Sequence, residues 1–383
     1  MANTLTSLIP ELYSNLDVVS RELVGMIPAV TLDPTSSRAA LNQIVRTFVA
    51  PASTASDITP GLTAPDTGDQ TIGAGSLSIT KARKVPIRWN GEEELSVAGG
   101  FGAAQIRAAQ IQQAFRTLVN EMEADLAGLH VFASRAAGTA GTTPFGTAND
   151  YTPASLSRQI LVDNGAGESD LHMVMNTSAG ANIRGKQAAV DGAGTTSILR
   201  QGVLQDVSGM TLRESAQIVT FTKGTGAAAT TNATGYAVGA TVIGLAVIGT
   251  GTVLAGDAVT FAGDANQYMV SVGDADVSNG GSITLAAPGL RRAIPAAATA
   301  ITVVASAARN MVFRRSAIVL ATRLPALPKD GDSAIDRTVV TDPRSGLSFE
   351  ISMYPQYRQM YWEVAAAWGV KAVKAEHIAV LLG

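Results

Sequence analysis

The chain of 383 residues contains no cysteine. Disulfide bonds, iron–sulfur clusters, thiolate zinc sites and cysteine nucleophiles are therefore all excluded. Charged residues are also scarce, at 15% against about 25% in an ordinary soluble domain. A net charge of −3 provides no global attraction for nucleic acid or an anionic membrane. This composition disfavours a dedicated polyanion-binding protein.

Aromatic residues make up only 5% of the chain, but hydrophobic residues as a whole reach 46% and there are 38 glycines. Intrinsic disorder is excluded for most of the chain, because disorder requires low hydrophobicity and high net charge. The length predicts about two or three domains.

A secretory signal peptide is not expected, because the first charged residues are Glu11 and Asp17 rather than basic residues before an apolar core. The sequence predicts a protein that starts near Met1 and is made in a cytoplasm. A membrane span is not expected either. The uncharged run from Tyr236 to Leu254 is long enough to cross a bilayer, but its glycines and threonines favour buried strands and tight turns.

Residues that could support catalysis or metal binding do not form a recognisable set. His130, His172 and His377 lie far apart and have no metal-ligand spacing, so we interpret them as packing or surface histidines. Gly244 to Gly249 has the glycine spacing of a phosphate loop, but the required lysine is missing. A calcium-like run at Asp274 lacks the bidentate glutamate. We therefore expect no cofactor, no metal site and no enzyme, but a structural protein.

The strongest local pattern runs from Phe101 to about Arg135. Its apolar residues are spaced three or four apart over more than six turns, which predicts one long helix of roughly 50 Å. The stripe consists of Ile111, Phe115, Leu118, Met122, Leu126, Leu129 and Ala133. A shorter amphipathic helix is predicted over residues 6–24.

A projecting β-hairpin arm is predicted before the long helix. Alternating strand patterns at Asn42 to Val49 and Leu77 to Trp89 flank residues 51–76, a polar Pro/Gly/Ser/Thr/Asp stretch with almost no apolar anchor. Basic residues in the second strand and carboxylates after Asn90-Gly91, in an expected solvated turn, are candidate contacts between subunits. These candidates are Lys81, Arg83, Lys84, Arg88, Glu92, Glu93 and Glu94. Weak contact with phosphate is the alternative for the basic residues.

The remainder of the chain predicts an α+β body with an all-β insertion. A helix is expected at 153–163, a strand at 171–175 followed by a cap at Asn176, and further strands at 311–321, 347–353, 362–370 and 378–382. Between them, the short strand patterns of residues 221–308 predict a separate β domain that folds alone. Its expected core is Val242, Leu245, Val259, Phe261, Tyr268, Val270, Ile283, Leu285, Ile301 and Val303.

Four phrases in order along the chain carry a resemblance to a known family. They are residues 5–10 (LTSLIP), 203–209 (VLQDVSG), 255–263 (AGDAVTFAG) and 368–379 (WGVKAVKAEHIA). The chain resembles the tailed-phage major capsid proteins of the Hong Kong ninety-seven fold, and specifically the coat-protein family of the short-tailed phage P-twenty-two, which carries an insertion domain. Lys374-Ala375-Glu376 departs from the Arg-Pro-Glu that this family commonly has, which implies a less rigid terminal turn.

The resemblance implies a division of the chain into an arm, a spine and two capsid domains. The implied parts are an N-terminal arm and helix (1–41), an E-loop hairpin (42–95), a P-domain with the spine helix (96–152), the first part of an A-domain (153–220), an inserted β domain (221–308) and the remaining A-domain and P-domain strands (309–383).

The resemblance also implies partners and a location. Pentamers and hexamers of the chain would form an icosahedral virion head, assembled in the host bacterial cytoplasm with a scaffolding protein. The head would be joined to a portal protein, packed with double-stranded DNA through weak non-specific contacts and open to decoration proteins, with no membrane partner. No motif supports a lysine crosslink.

Two other functions stay open from the residues alone. An encapsulin-type shell shares the fold and would enclose a protein cargo rather than DNA. A secreted β-rich adhesin or polysaccharide-active protein would account for the Gly/Thr-rich middle, but no aromatic sugar platform or carboxylate pair is evident.

Overall fold

The computed structural model describes residues 24–49, 55, 57–63, 73–97, 103–147, 150–189, 204, 206–342 and 346–383. Of the helix predicted over residues 6–24, all but Val24 lies outside these ranges. The predicted α+β class is confirmed. The α-helices are α1 (Gly91–Val97), α2 (Ala103–Ala127), α3 (Thr152–Asp163) and α4 (Thr177–Ala189).

Strands contribute most of the regular structure. In chain order they are β1 (Thr31–Ala39), β2 (Ile44–Val49), β3 (Gly73–Ser78), β4 (Lys81–Asn90), β5 (Arg135–Ala137), β6 (Leu171–Met175), β7 (Met210–Glu214), β8 (Thr220–Phe221), β9 (Val242–Gly244), β10 (Ala258–Phe261), β11 (Gln267–Val272), β12 (Ser282–Leu285), β13 (Ile301–Val303), β14 (Ala307–Arg314), β15 (Ile318–Pro325), β16 (Asp336–Thr341), β17 (Ser348–Gln356), β18 (Gln359–Ala372) and β19 (Ile378–Leu382).

The longest helix among the described residues is α2. All seven residues of the predicted apolar stripe are buried, so the helical periodicity is confirmed. The predicted end is wrong, because α2 stops at Ala127 and Gly128–Phe132 is a 3-10 helix. Gly128 is a weak helix former, and the chain beyond it pairs as β5 with β19. The 25 residues of α2 span about 37 Å.

The main core joins α2 to both large sheets. One sheet has the order β1-β15-β18-β17-β16, with β4 also paired to β18. Its inner face packs on α2, where the rings of Phe115 and Phe349 meet edge to face at 5.1 Å. The other sheet runs β13-β10-β11-β5-β19-β14-β6-β7 and contains β6 and β19, which are buried along their whole length.

The arm is a two-stranded hairpin, β2 with β3. The single strand predicted from Leu77 to Trp89 is wrong, since Ile79 and Thr80 separate β3 from β4, and β3 begins at Gly73 inside the predicted loop. The ladder of β18 causes this break. β4 pairs with β18 from Lys81 to Asn90, whereas β3 pairs with no described strand other than β2.

The strand predicted from Met311 to Ala321 is also two strands. β14 belongs to the sheet with β6 and β19, whereas β15 belongs to the sheet with β1 and β18. A 3-10 turn at Arg315–Ala317 redirects the chain between them. The helix at 153–163, the strand at 171–175 and the cap at Asn176 are confirmed; the Asn176 side chain accepts a hydrogen bond from the Ala179 N–H at 3.0 Å.

Residues 229–303 contain a hydrophobic core of their own. Nine of the ten predicted core residues are buried. Val242 is 55% exposed, because its row across the sheet, with Thr284 and Val272, faces outward. The segment is nevertheless hydrogen-bonded to the body, since β11 pairs with β5. No helix in the described part of the chain is long and apolar enough to span a membrane.

Candidate subunit-contact surface

Lys81 is held within its own chain, at the point where the arm meets the body. Its Nζ lies 2.7 Å from Asp125 Oδ1 and 2.9 Å from Glu121 Oε1, both on α2. The Trp368 indole N–H donates to the other oxygen of Asp125 at 2.8 Å. Burial lowers the pKa of Lys81, but these hydrogen bonds outweigh burial and hold the pKa above 10.5. Lys81 therefore links β4 to α2 by two ion pairs.

Arg83 and Lys84 also have partners within the chain. Arg83 Nε lies 3.1 Å from Glu121 Oε1, and Lys84 Nζ lies 2.9 Å from Glu363 Oε2 on β18. The hydrogen bond to Glu363 raises the pKa of Lys84, so this side chain stays charged. Three of the four basic candidates therefore form ion pairs within the subunit.

The three carboxylates lie in the first turn of α1, so a helix stands where a turn was expected, while Glu92 and Glu93 are exposed as expected. Asn90 Oδ1 accepts from the Glu93 N–H at 2.8 Å, and a Glu93 carboxylate oxygen accepts from the Asn90 N–H at 3.0 Å. This reciprocal pair is a capping box, and carboxylates are favourable at a helix N-terminus. Glu94 pairs with Arg107 at 3.1 Å.

Arg88 and Glu92 remain exposed and have no hydrogen-bond or ion-pair partner among the described residues. Arg88 lies near the end of β4, opposite Tyr361 of β18, and Glu92 follows at the start of α1. A cation and a carboxylate are therefore available close together at one end of the sheet.

A groove of about 810 Å³ lies at the same end, between α1 and the turn that joins β17 to β18. Its lining includes Trp89, Met360, Glu92 and the turn residues Tyr357 and Arg358. Tyr357 is 89% exposed. The groove therefore combines aromatic and thioether surface with charged groups at its margin.

The loop that joins β2 to β3, called the arm tip below, exposes two aliphatic side chains that sequence reasoning missed. Ile58 is 98% exposed and Leu62 is 108% exposed, relative to the extended chain. They flank Pro60-Gly61 in a stretch that is otherwise polar. The signal available in the sequence was that pair of large aliphatic residues, four apart, inside a largely polar loop.

The groove and the arm tip lie toward opposite ends of one extended run. β4 runs antiparallel to β18 from Lys81, opposite Trp368, to Asn90, opposite Gln359. β3 continues past the other end of this ladder, where Lys371 Nζ donates to the Ser76 carbonyl. Eighteen residues from Gly73 to Asn90 cover at most about 60 Å. Along the chain, β3 and β4 therefore separate the arm tip from the groove.

The three histidines occupy separate places. His172 lies in β6, and its Nε2 is 3.1 Å from Oδ1 of Asp170, just before that strand. His377 is buried just before β19, and His130 follows α2. Burial lowers the pKa of each one. Within the ranges that the structure describes, no group of three or more potential ligands could hold a metal ion.

No protein-family model matches the chain, and no curated protein matches it. Among solved structures, the chain is similar to the capsid of cyanophage P-SCSP1u, at 9% identity and a TM-score of 0.49, over 92% of this chain and 86% of that one. A structure from Mycobacterium phage Che8 is similar at 12% identity and a TM-score of 0.44, over 90% and 85%. A virus-like particle from Pyrococcus furiosus is similar at 10% identity and a TM-score of 0.44, over 97% and 98%.

Proposed function

We propose that the chain is the major capsid protein of a tailed double-stranded DNA bacteriophage. Many copies form pentamers and hexamers of an icosahedral head and so become part of the virion. The proposed partners are further copies of the chain, a scaffolding protein, a portal protein, the packaged DNA and decoration proteins. The four sequence phrases at 5–10, 203–209, 255–263 and 368–379 support this proposal.

The observation that carries the proposal is the arm. An isolated two-stranded hairpin is marginally stable in water. Among the described strands, β2 and β3 pair only with each other, and the base of the hairpin packs on the body through Leu77, beside Ala321 and Ala367. Ile58 and Leu62 at its tip are fully exposed. A subunit with such an arm gains stability when the tip is covered by a neighbour.

The positions of the tip and the groove favour head-to-tail contacts. Because β3 and β4 separate the tip from the groove along the chain, we propose that Ile58 and Leu62 of one subunit lie against Trp89 and Met360 of the next. Contacts of this heterologous kind close into rings when the rotation between subunits permits it. Pentamers and hexamers are rings of this type.

We assign the charged candidates two different roles in the assembly. Arg88 and Glu92 are proposed as direct contacts with a neighbouring subunit, because both are exposed and unpaired within the described chain. Lys81, Arg83, Lys84, Glu93 and Glu94 are proposed to support that surface through the bonds they make within the subunit.

We also propose that residues 221–308 are an inserted domain between the two parts of the A-domain. Its separate core supports this division, and its linkers adjoin, since Phe221 pairs with Ala307. Ala258, Met269 and Ala286 belong instead to the main core. One face of the insertion would therefore rest on the body.

Electron microscopy of the expressed chain, alone and together with the scaffolding protein, tests the proposed function. We expect closed shells or subunits that assemble when the scaffold is added. Particles from infected cells should contain double-stranded DNA; a protein cargo instead would favour the encapsulin-type shell. A chain that stays monomeric with its scaffold would contradict both kinds of shell.

A charge reversal tests the proposed role of Arg88. Arg88→Glu should raise the concentration needed for assembly about fivefold at low salt, since an exposed ion pair contributes up to about 1 kcal/mol. Glu92→Arg alone should have a similar effect. Light scattering during assembly measures the change, which should fade as salt screens the charges. Unchanged assembly of both single variants would exclude this contact.

A further inference from the structure

Arg309 is a buried cation next to the segment 222–306, the part of the chain between β8 and β14. It is the third residue of β14, directly after the segment ends, and its side chain is only 2% exposed. None of its three guanidinium nitrogens has a hydrogen-bond partner among the described residues. The guanidinium lies over the ring of Phe221 at 5.1 Å. Burial lowers the pKa of Arg309 to about 10, and a buried charge without a partner is costly.

His130 lies against the same Phe221 ring. The two ring centres are 5.3 Å apart in an edge-to-face arrangement. His130 Nδ1 is 3.0 Å from the Ala127 carbonyl oxygen, and a carbonyl can only accept, so Nδ1 carries the proton of the neutral ring. Nε2 therefore holds the lone pair. This atom is enclosed and has no partner among the described residues.

A tight turn of the segment lies against His130 Nε2. Gly256 in this turn has a φ of +94°, and a Cβ built there would lie 2.9 Å from His130 Nε2 and 3.0 Å from the Phe221 ring. The next residue, Asp257, is fully buried and accepts from the backbone N–H groups of Gly224 and Leu254. There is little room beside Nε2 for an added proton and its acceptor.

We propose that His130, Phe221, Arg309 and the Gly256-Asp257 turn form a proton-controlled junction between segment 222–306 and the body. With His130 neutral, the segment lies closed on the body. A proton on Nε2 places a second positive charge beside Arg309 and requires an acceptor where the Gly256 turn now lies, so the turn moves and the segment loosens. This inference does not depend on the shell proposed above.

The charges around the junction determine the direction of the pH effect. Burial, and after it the nearby Arg309, lowers the pKa of His130 below 6.5. Burial raises the pKa of Asp257, which also faces Arg309 and Lys223. In an open junction His130 meets water and titrates near 6.5. The contribution of His130 to the stability of the closed junction is therefore complete above pH 6.5 and is lost as the pH falls below it.

Other elements packed against the turn that carries His130 supply few titratable groups. β19 is wholly apolar, and the only titratable side chain of β11 is Tyr268, whose hydroxyl donates to Asp264 at 2.7 Å. At the end of α2, Asp125 is bound by Lys81 and Trp368. On β18, Lys371 donates to a backbone carbonyl and Glu363 pairs with Lys84.

Hydrogen exchange of the full chain between pH 5 and 8 tests the junction. After correction for the intrinsic rate, opening of β5, β10 and β11 should increase below pH 6.5 by up to about tenfold per pH unit. His130→Gln should remove this increase. Arg309→Met should reduce it, because the repelling charge is gone. The matched control His377→Gln replaces a buried histidine just before β19 and should keep the wild-type profile in β10 and β11.

Two results would overturn the proposal: exchange in the wild type that does not change with pH, or a His130→Gln profile equal to that of the wild type. If His130→Gln fails to fold, NMR titration of the His130 ring in the wild type decides instead. A pKa clearly below 6.5 supports the junction, and a pKa at or above 6.5 contradicts it.

Discussion

Replacing Ile58 and Leu62 together by serine is expected to abolish shell assembly and leave the subunit folded. Burying one such aliphatic side chain contributes about 1.5–3 kcal/mol, so the pair weakens each arm contact by about 3–6 kcal/mol. Each 1.4 kcal/mol is a factor of about ten in the binding constant. Sedimentation velocity and negative-stain microscopy of the purified variant, with scaffold present, measure the loss.

The same variant should have a free energy of unfolding within about 0.5 kcal/mol of the wild type, because neither side chain has a buried environment in the subunit. Val238→Ser is the matched control, since Val238 is an exposed aliphatic residue of the segment 222–306. Particles of normal yield from the double variant would show that the arm tip is not an assembly contact. A large loss of stability would show instead that the tip belongs to the subunit core.

Glu123→Ala is expected to lower the free energy of unfolding of the subunit by about 3 kcal/mol. Glu123 lies on α2 and is 1% exposed. Its carboxylate accepts from the Met26 N–H at 2.9 Å, the Ile27 N–H at 2.8 Å and the Ser215 hydroxyl at 2.8 Å. Alanine leaves these buried donors unsatisfied, at about 1–3 kcal/mol each. Burial raises the pKa of Glu123, and removal of that desolvation offsets part of the loss.

Urea unfolding of the unassembled subunit measures the change. Glu94→Ala is the control, since its ion pair with Arg107 is partly exposed and should contribute about 1 kcal/mol or less. Ser215→Ala separates the hydroxyl contact from the two backbone contacts. A Glu123→Ala loss no larger than that of Glu94→Ala would mean that water satisfies the Met26 and Ile27 N–H groups.

The candidate surface was only partly predictable. The sequence places Lys81, Arg83, Lys84 and Arg88 on one strand, but their roles depend on residues far along the chain. Lys84 meets Glu363, and Lys81 meets Asp125, which a local pattern cannot reveal. Only Arg88 is left without a described partner. The exposed pair Ile58 and Leu62 could have been noticed, because large aliphatic residues are unusual in an otherwise polar loop.

Local patterns determined the parts of this protein whose partners are their own sequence neighbours. The stripe of α2 and the cap at Asn176 each follow from periodicity or turn chemistry within a few residues. Tertiary structure decided the rest. α2 ends at Ala127 because β5, just beyond it, pairs with the distant β19, and β14 separates from β15 because the two pair with β6 and β18 in different sheets. A strand ladder obtains its hydrogen bonds from a remote segment, so no window of sequence contains the information that sets its ends.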